Sequence, residues 1–222
     1  MESEAMDRRA ALGRLAAGAA VLAAGSMITE GEAMAAKGQS DFYDKDGKFL
    51  AERALEAYYA MMHRYGYTIS EGLKKSIWAV DFGLGRFEDV GMAGIFWWND
   101  LQYRYFGHDI FLLPGQMIPE HKHVKTDIAP PKMEAWHTRS GWVRLFSDAP
   151  ATPGAEGFIP ASELKFTTCR ACQEHHVGEV TGLNRPEAWH FMVAGPDGAI
   201  VTEYATYHDG KALRFTDPGI KF

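Results

Sequence analysis

The chain has 222 residues, a length that fits one domain with appended segments. Its hydrophobic content of 46% and its charged content of 23% are ordinary for a soluble globular protein. The formal net charge of −6 leaves no basic footprint, so we expect no nucleic acid among its partners.

Residues 1–40 have the pattern of an export signal followed by a linker. Arg8 and Arg9 precede an uncharged, Ala- and Gly-rich run, 15–29, which is shorter than the roughly 20 residues needed to span a bilayer. A small-x-small cleavage site follows at 33–35. The paired arginines resemble a twin-arginine signal, so we expect export to the periplasm without stable membrane insertion. A cytoplasmic protein with a disordered Ala-rich tail, or with an amphipathic helix there, is the alternative.

The segment 41–76 is predicted to be helical. Between Phe49 and Tyr65, apolar residues recur at spacings of three and four, which places them on one face of a helix. Gly66 ends this helix, because glycine tolerates the left-handed conformation that commonly follows a helix end. A second, shorter helix is predicted near 70–75.

From residue 77 onward the pattern becomes that of a β-barrel or sandwich. Short apolar or alternating runs are separated by Gly, Pro and Asp, as expected for strands joined by turns. The predicted strands are 93–98, 102–106, 110–113, 117–124, 134–140, 142–146, 164–172, 176–181, 189–193 and 199–206. We therefore predict a mainly β protein in which a helical segment, 41–76, packs on a β-barrel, 77–222.

A pair of histidines lies in the predicted strand 117–124. His121 and His123 are one residue apart, so on a strand their side chains point to the same face. Glu134, on the next predicted strand, brings a carboxylate to the same site, and His190 is the natural fourth ligand. Three imidazoles and one carboxylate suit a divalent first-row metal such as Mn, Fe, Co, Ni or Zn.

This pattern resembles the first motif of the cupin superfamily. The spacing is Gly115, five residues, His-x-His, and later Glu134, six residues and Gly141. The stretch between the histidines and Glu134 is longer than in the usual motif, so an inserted loop is expected at 127–131. The second cupin motif keeps a proline and His190. The resemblance implies a cupin-type β-barrel, or jelly roll.

Within the cupins, the chain is similar to the D-lyxose ketol-isomerase group of sugar isomerases over roughly residues 45–222. The similar segments are 78–83, 132–134 and 201–206. The resemblance implies a small sugar substrate, D-lyxose, D-mannose or a related aldose, that is isomerised to a ketose through a cis-enediol. It also implies a divalent metal, for which manganese is our first choice, and a homodimer.

The same resemblance implies catalytic residues. Glu203 stands where the family has its catalytic glutamate, and we expect it to move the proton between C2 and C1; an exposed strand glutamate paired with a lysine is the alternative. Lys132 shares a face with Glu134, from which it would stabilise an enediolate oxygen; a solvated lysine is the alternative. An acidic group is implied near Asp209, although Asp209 precedes a glycine and this pair also has the pattern of a hairpin turn.

The remaining histidines are predicted to be structural, with one exception. His108 stands where we expect a lysine in the isomerase group, which leaves the identity of the substrate open. His137 lies at odd spacing from Glu134, so it should face away from the site. His175 and His176 have no carboxylate at ligand spacing and are expected at the surface or on a strand.

The two cysteines, Cys169 and Cys172, are expected to be half-buried thiols on a strand. A covalent haem site is excluded, because Gln173 and not a histidine follows the second cysteine. A zinc site with the nearby histidines has cramped spacing. A disulfide needs Cα atoms within about 7 Å, so only a turn between the two residues would permit it.

Two other functions fit the same motif. One is an iron-dependent cupin dioxygenase, since three histidines and a glutamate also support that chemistry in cupins. The other is a non-catalytic, exported cupin that binds a metal or a sugar. Oxygen consumption would identify the first, and tight sugar binding without turnover would identify the second.

Overall fold

The computed structural model describes residues 40–221. The predicted export signal and its cleavage site lie outside the described residues and stay predictions. Two helices come first, α1 (Ala51–Arg64) and α2 (Glu71–Ser76). The strands that follow are β1 (Trp78–Val80), β2 (Met92–Asp100), β3 (Tyr105–Leu112), β4 (Met117–His123), β5 (Glu134–Ser147), β6 (Ala171–His176), β7 (Val180–Gly182), β8 (His190–Ala205) and β9 (Leu213–Phe215).

Both predicted helices are present. Helix α1 lies within the predicted span 49–65, and it buries the apolar residues Tyr58, Met61 and Met62 that gave the helical spacing. Helix α2 begins at Ser70, whose hydroxyl accepts a hydrogen bond from the Leu73 backbone N–H at 3.1 Å. Among residues 40–221, no helix has the length and apolarity needed to cross a membrane.

The strands form one curled, antiparallel sheet. Its order is β1-β2-β3-β8-β4-β9, and β5 extends it by pairing with β6, β7 and β8. Strand β8 is central because it pairs with β3, β4 and β5. The architecture is mainly β, a cupin-type barrel preceded by helices, which confirms the predicted fold class.

Alternation along the strands separates two hydrophobic clusters. On β3, Ile110 points into the barrel, where it packs in a cluster with Val201 of β8. The next residue, Phe111, points outward and packs with Ile200 and with Tyr58 of α1. This period of two is the reason that the helices cover one outer face of the sheet while the inner face is free to form a cavity.

Glycines create bulges inside two long strands that were predicted as four shorter ones. The predictions 134–140 and 142–146 form the single strand β5, and 189–193 and 199–206 form β8. Gly141 has φ +66° and Gly198 has φ +79°, and a Cβ on Gly141 would lie 2.1 Å from the Gly198 carbonyl oxygen. Only glycine fits such a close backbone crossing, so each strand bends here and continues.

Two predicted strands are wrong in most of their length. The first, 102–106, is largely the turn that joins β2 to β3. In the second, 164–172, only the last two residues belong to a strand. The buried carboxylate of Glu120 accepts hydrogen bonds from the backbone N–H groups of Thr168 at 2.7 Å and Cys169 at 2.8 Å. These donors are therefore satisfied by a side chain and need no neighbouring strand.

Candidate metal centre and active site

The four predicted metal ligands meet at one end of the barrel interior. His121 and His123 come from β4, while Glu134 and His190 are the first residues of β5 and β8. Their ligating atoms all lie within 4.8 Å of one another. Strand pairing explains part of this convergence, because His121 and His190 are direct partners in the β4–β8 ladder. The structure therefore brings the set together from three strands.

Backbone carbonyls fix the tautomer of two of these histidines. His121 Nδ1 lies 2.8 Å from the Pro119 carbonyl oxygen, and His190 Nδ1 lies 2.9 Å from that of Ala188. A carbonyl oxygen only accepts, so each Nδ1 carries a proton, and in the neutral form of either ring Nε2 is the nitrogen left to bind a metal. Such orientation by a second hydrogen bond is typical of metal-binding histidines.

A carboxylate lies between the imidazoles. Glu134 Oε1 is 2.6 Å from His123 Nε2, and Glu134 Oε2 is 3.6 Å from His190 Nε2. The His190 Nε2 atom is buried and has no hydrogen-bond partner among the described residues. A buried nitrogen lone pair without a partner is costly, and a cation held by this set would satisfy it. The donor set, three imidazoles and one carboxylate, thus fits a divalent first-row metal.

Burial and neighbouring charges favour the metal-binding protonation states of two ligands. Burial, helped by His190 and His123, holds the pKa of His121 well below its ordinary value, so this imidazole is neutral. Burial raises the pKa of Glu134, but Lys132 and His123 outweigh that effect and hold it well below its usual range. The glutamate is therefore an anion, the form that binds a cation.

Lys132 and Glu203 form a buried ion pair beside the metal ligands. The Lys132 ammonium contacts Glu203 Oε1 directly, lies 3.5 Å from Glu134 Oε1, and stands 4.6 Å above the ring of Phe106. Burial lowers the pKa of Lys132, but the two glutamates outweigh it and raise the pKa. Burial likewise raises the pKa of Glu203, and Lys132 reverses that shift and brings it to about 2. The pair is thus charged on both sides.

Glu203 reaches the site from the same strand as His190. The sequence placed it on a following strand, which is wrong, because β8 runs without a break from His190 to Ala205. In the sheet Glu203 stands directly between His108 of β3 and Trp136 of β5, so all three share the inner face. His108 Nδ1 lies 3.4 Å from Glu203 Oε2. The residue that departs from the family pattern therefore contacts the candidate base.

His208 is a site residue that the sequence gave no reason to select. It lies in the loop after β8, its ring stands 5.8 Å from that of His123, and it stacks on Phe106 at 5.3 Å. Asn99 holds its backbone with hydrogen bonds to both the N–H, at 3.0 Å, and the carbonyl oxygen, at 2.9 Å. Burial and the nearby Lys132 lower its pKa to about 3, so the imidazole is neutral.

Asp209 does not reach the cavity. Its carboxylate accepts a hydrogen bond from the Lys211 backbone N–H at 3.0 Å and caps the turn that leads into β9. The expectation of a catalytic role is corrected in favour of the turn, and the adjacent His208 is the residue that lines the site. His175 lies on β6, one of the two places expected for it, and it is buried there.

His137 and the cysteines lie away from the metal ligands. The His137 ring is half-buried, and the ring nearest to it is that of Tyr204, 6.3 Å away. Cys169 is buried in a cluster with Phe146 and Phe191, Cys172 is half-buried on β6, and both are free thiols. No disulfide or thiol ligand contributes to the site.

The cavity next to these groups has a polar end and apolar walls. The polar end is formed by the three candidate metal-binding histidines with Lys132, His108 and His208. Much of the remaining wall consists of apolar side chains, among them Met92, Ile110, Ile118, Leu145, Met192 and Phe215. Glu203 does not line this cavity itself but contacts Lys132 and His108, which do. A carboxylate, an ammonium group and a candidate metal site this close together can carry out proton transfer next to a polarised carbonyl.

Comparisons with known proteins identify sugar isomerases among the relatives of this chain. No protein-family model matches the chain. A D-lyxose/D-mannose isomerase of Thermosediminibacter oceani is 31% identical over 166 residues, which cover 75% of this chain and 90% of that protein. A D-lyxose ketol-isomerase of a Thermofilum species is 29% identical over 174 residues, covering 78% of this chain and 95% of that protein.

Solved structures support the fold. The L-ribose isomerase of Cellulomonas parahominis without ligand superposes with a TM-score of 0.60 at 13% identity, covering 74% of this chain and 90% of that one. The L-ribose isomerase of Acinetobacter sp. DL28 gives a TM-score of 0.61 at 13% identity, covering 82% and 96%. At such low identity these structures support the barrel fold and nothing further. The family is established by the relatives in sequence: the chain belongs to the D-lyxose ketol-isomerase family and is an isomerase.

Proposed function

We propose that the protein is a metal-dependent aldose–ketose isomerase that acts on D-lyxose, D-mannose or a related small aldose through a cis-enediol. The observation that carries this proposal is the buried Lys132–Glu203 pair next to His121, His123, Glu134 and His190. The names of the relatives supply the sugar class. A bound divalent metal, with manganese as our first choice, would polarise the carbonyl and hold the two oxygens that exchange roles.

Glu203 is the proposed base. It would take the proton from C2 and return it to C1, while a second proton passes between the two oxygens. In the absence of sugar, Lys132 brings the pKa of Glu203 to about 2, which makes it a weak base. A sugar oxygen that draws the Lys132 ammonium toward itself removes this stabilisation. The basicity of Glu203 then rises when substrate is bound, and the ammonium faces the oxygen on which negative charge develops.

His108 and His208 are proposed to contact the sugar and to keep the base in place. His108 contacts Glu203 Oε2, whereas Lys132 contacts Oε1, and the buried Nε2 of His108 has no partner among the described residues. The neutral ring of His208 lines the cavity near His123 and offers a donor or an acceptor to a hydroxyl. Both rings are held by aromatic neighbours, His108 by Trp78 and His208 by Phe106, which limits their motion.

The experiment that tests this function is a panel of aldoses with the purified, manganese-loaded protein in D₂O. Ketose formation with deuterium at C1, and deuterium at C2 of the aldose re-formed by the reverse reaction, is the expected result by NMR, since a carboxylate-bound proton exchanges with solvent. Complete retention of the substrate hydrogen would indicate hydride transfer instead. Oxygen consumption with iron and without ketose would indicate the dioxygenase, and binding without turnover would indicate a binding protein.

We also propose export to the periplasm and a homodimer. The export proposal is supported by the paired arginines and the cleavage pattern, and N-terminal sequencing of the mature protein tests it.

The proposed homodimer is supported by exposed aromatic residues at the β2–β3 turn, where Trp98, Tyr103 and Tyr105 are 55%, 72% and 50% exposed. Sedimentation velocity of the wild type and of a Trp98→Ser, Tyr103→Ser variant tests it; a monomeric wild type would contradict the proposal.

A further inference from the structure

On three strands, a polar residue of the site is followed two positions along the chain, on the same inward face, by an apolar residue. On β3, His108 is followed on the same face by Ile110; on β8, His190 is followed by Met192. On β5, Glu134 is followed by Trp136. Because residues two apart share a face of a strand, these neighbours form the next layer of the barrel interior.

This second layer offers almost nothing that can hydrogen-bond a hydroxyl. Met92, Ile110, Ile118, Leu145 and Met192 line it, and all of them pack in or against the inner hydrophobic cluster. Two indole N–H groups also belong to the lining residues, and each indole packs against a histidine of the polar end. Trp78 stacks on His108 at 5.8 Å, and Trp136 is 5.2 Å from His190.

A sugar held by its carbonyl end therefore meets two different environments. Oxygens O1 to O3 would lie near the metal ligands, Lys132, His108 and His208, which can donate and accept. A hydroxyl at the far end of the chain would be buried against methyl and methylene groups without a partner, which is unfavourable. A methyl group at that end would instead gain from leaving water.

We propose that the preferred substrate is an aldose whose terminal carbon carries no hydroxyl, such as a 6-deoxyhexose or a 5-deoxypentose. This inference rests on the proposed isomerase function and narrows its substrate class. The apolar second layer selects for the terminal methyl group, while the metal end and Glu203 handle the carbonyl. The sugars in the names of the relatives all carry the terminal hydroxyl, so the proposed preference goes beyond those names.

The test compares matched pairs of sugars on the manganese-loaded enzyme. D-Mannose is compared with 6-deoxy-D-mannose, and D-lyxose with 5-deoxy-D-lyxose, by kcat/KM for ketose formation. The deoxy sugar is expected to be preferred by about 10- to 100-fold, the range in which an apolar pocket discriminates against an added hydroxyl. Calorimetric titration with D-mannitol and its deoxy analogue, which cannot be isomerised, should show the same preference in binding.

A pair of variants locates the preference in the cavity wall. Ile110→Thr places a hydroxyl in the lining and should lower the deoxy preference by about 2- to 10-fold, the value of one hydrogen bond. Leu112→Thr is the control. Leu112 follows Ile110 on the same face of β3, is equally buried in the inner cluster, and is not among the residues that line the cavity. Its preference should match the wild type, and a ratio of two kcat/KM values is independent of any loss of folded protein.

The possible results separate this inference from the proposed function. Turnover of both sugars with equal kcat/KM, or a preference for the hydroxylated sugar, overturns the deoxy substrate and leaves the isomerase function intact. Turnover of no aldose by the metal-loaded enzyme overturns the isomerase function and this inference with it. An Ile110→Thr variant that keeps the full preference shows that the wall does not select the substrate.

Discussion

At the scale of single residues, the candidate site depends on how one lysine is shared between two glutamates. Lys132 contacts Glu203 and lies near Glu134, and all three side chains are buried. A buried charge without a partner is strongly unfavourable, so each of these groups requires the others. The same arrangement keeps Glu134, the proposed metal ligand, and Glu203, the proposed base, ionised next to one another, and the proposed chemistry needs both charges.

The first prediction concerns the base. Glu203→Gln removes the charge and preserves the shape, and it leaves His121, His123, Glu134 and His190 unchanged. Metal content measured by mass spectrometry should therefore stay at the wild-type level. The kcat for the best aldose should fall about 10²- to 10⁴-fold, the usual contribution of a general base. Full activity in this variant would remove Glu203 from the mechanism.

The second prediction concerns the lysine. Lys132 is the main group that holds the pKa of Glu203 at about 2 against the effect of burial. In Lys132→Met the carboxylate loses this cation, so its pKa rises and it becomes protonated at higher pH. The acidic limb of the pH profile of kcat/KM, measured at saturating metal, should move to higher pH, because only the ionised carboxylate acts as a base. The exposed Lys125 provides the control: Lys125→Met should leave the limb in place, and an unmoved limb in Lys132→Met would contradict the prediction.

At the scale of secondary-structure elements, the long strands β5 and β8 carry most of the site. Strand β8 contributes His190 at its start and Glu203 near its end, and β5 contributes Glu134. The bulges at Gly141 and Gly198 bend both strands at the same place. The bend divides β8 into a part that pairs with β4 and carries His190 and a part that pairs with β3 and carries Glu203. These are the proposed metal ligand and the proposed base.

The third prediction tests the crossing of the two bulges. Gly141→Ala introduces a Cβ that would lie 2.1 Å from the Gly198 carbonyl oxygen, at φ +66°. The unfavourable conformation alone costs about 1–3 kcal/mol, and the clash with backbone adds to it. Gly115→Ala is the matched control, since Gly115 has φ +70° but nothing lies within 4 Å of its added Cβ. Urea unfolding should show a larger loss of stability for Gly141→Ala; equal losses would show that the crossing is unimportant.

At the scale of the whole molecule, the metal site joins strands that are far apart in the sequence. His123, Glu134 and His190 lie on β4, β5 and β8, and their side chains converge inside the barrel. Binding to the folded state alone stabilises it by mass action, about 2.7 kcal/mol at a free metal concentration of 100 Kd. The proposed metal should therefore contribute to the stability of the barrel as well as to catalysis.

The fourth prediction follows from this linkage. Removal of metal with a chelator should lower the Tm of the wild type, and added Mn²⁺ should restore it. The variant His121→Ala, with one ligand fewer, should respond much less to either treatment, while His137→Ala should respond like the wild type because His137 lies outside the ligand set. A wild-type Tm that is unchanged by chelator and metal would argue against a metal at this site.

Several features of this protein follow from the sequence alone because they depend on local order along the chain. The spacing of apolar residues located α1, since a helix repeats every 3.6 residues. The spacing of His121 and His123 placed both side chains on one face of β4 for the same kind of reason, a period of two. The role of these residues as metal ligands remains a prediction.

Other features were decided only by tertiary structure. The glycines at 141 and 198 look like strand breaks, yet contact between them turns each break into a bulge within one strand. His208 lies in the site because its backbone is hydrogen-bonded by Asn99, which is over a hundred residues earlier in the chain. No local sequence pattern predicts that contact. The pairing of Lys132 with Glu203, and the apolar layer behind them, likewise depend on which strands lie side by side. Local sequence sets the direction of each side chain, whereas the partner it meets is chosen by the packing of distant segments.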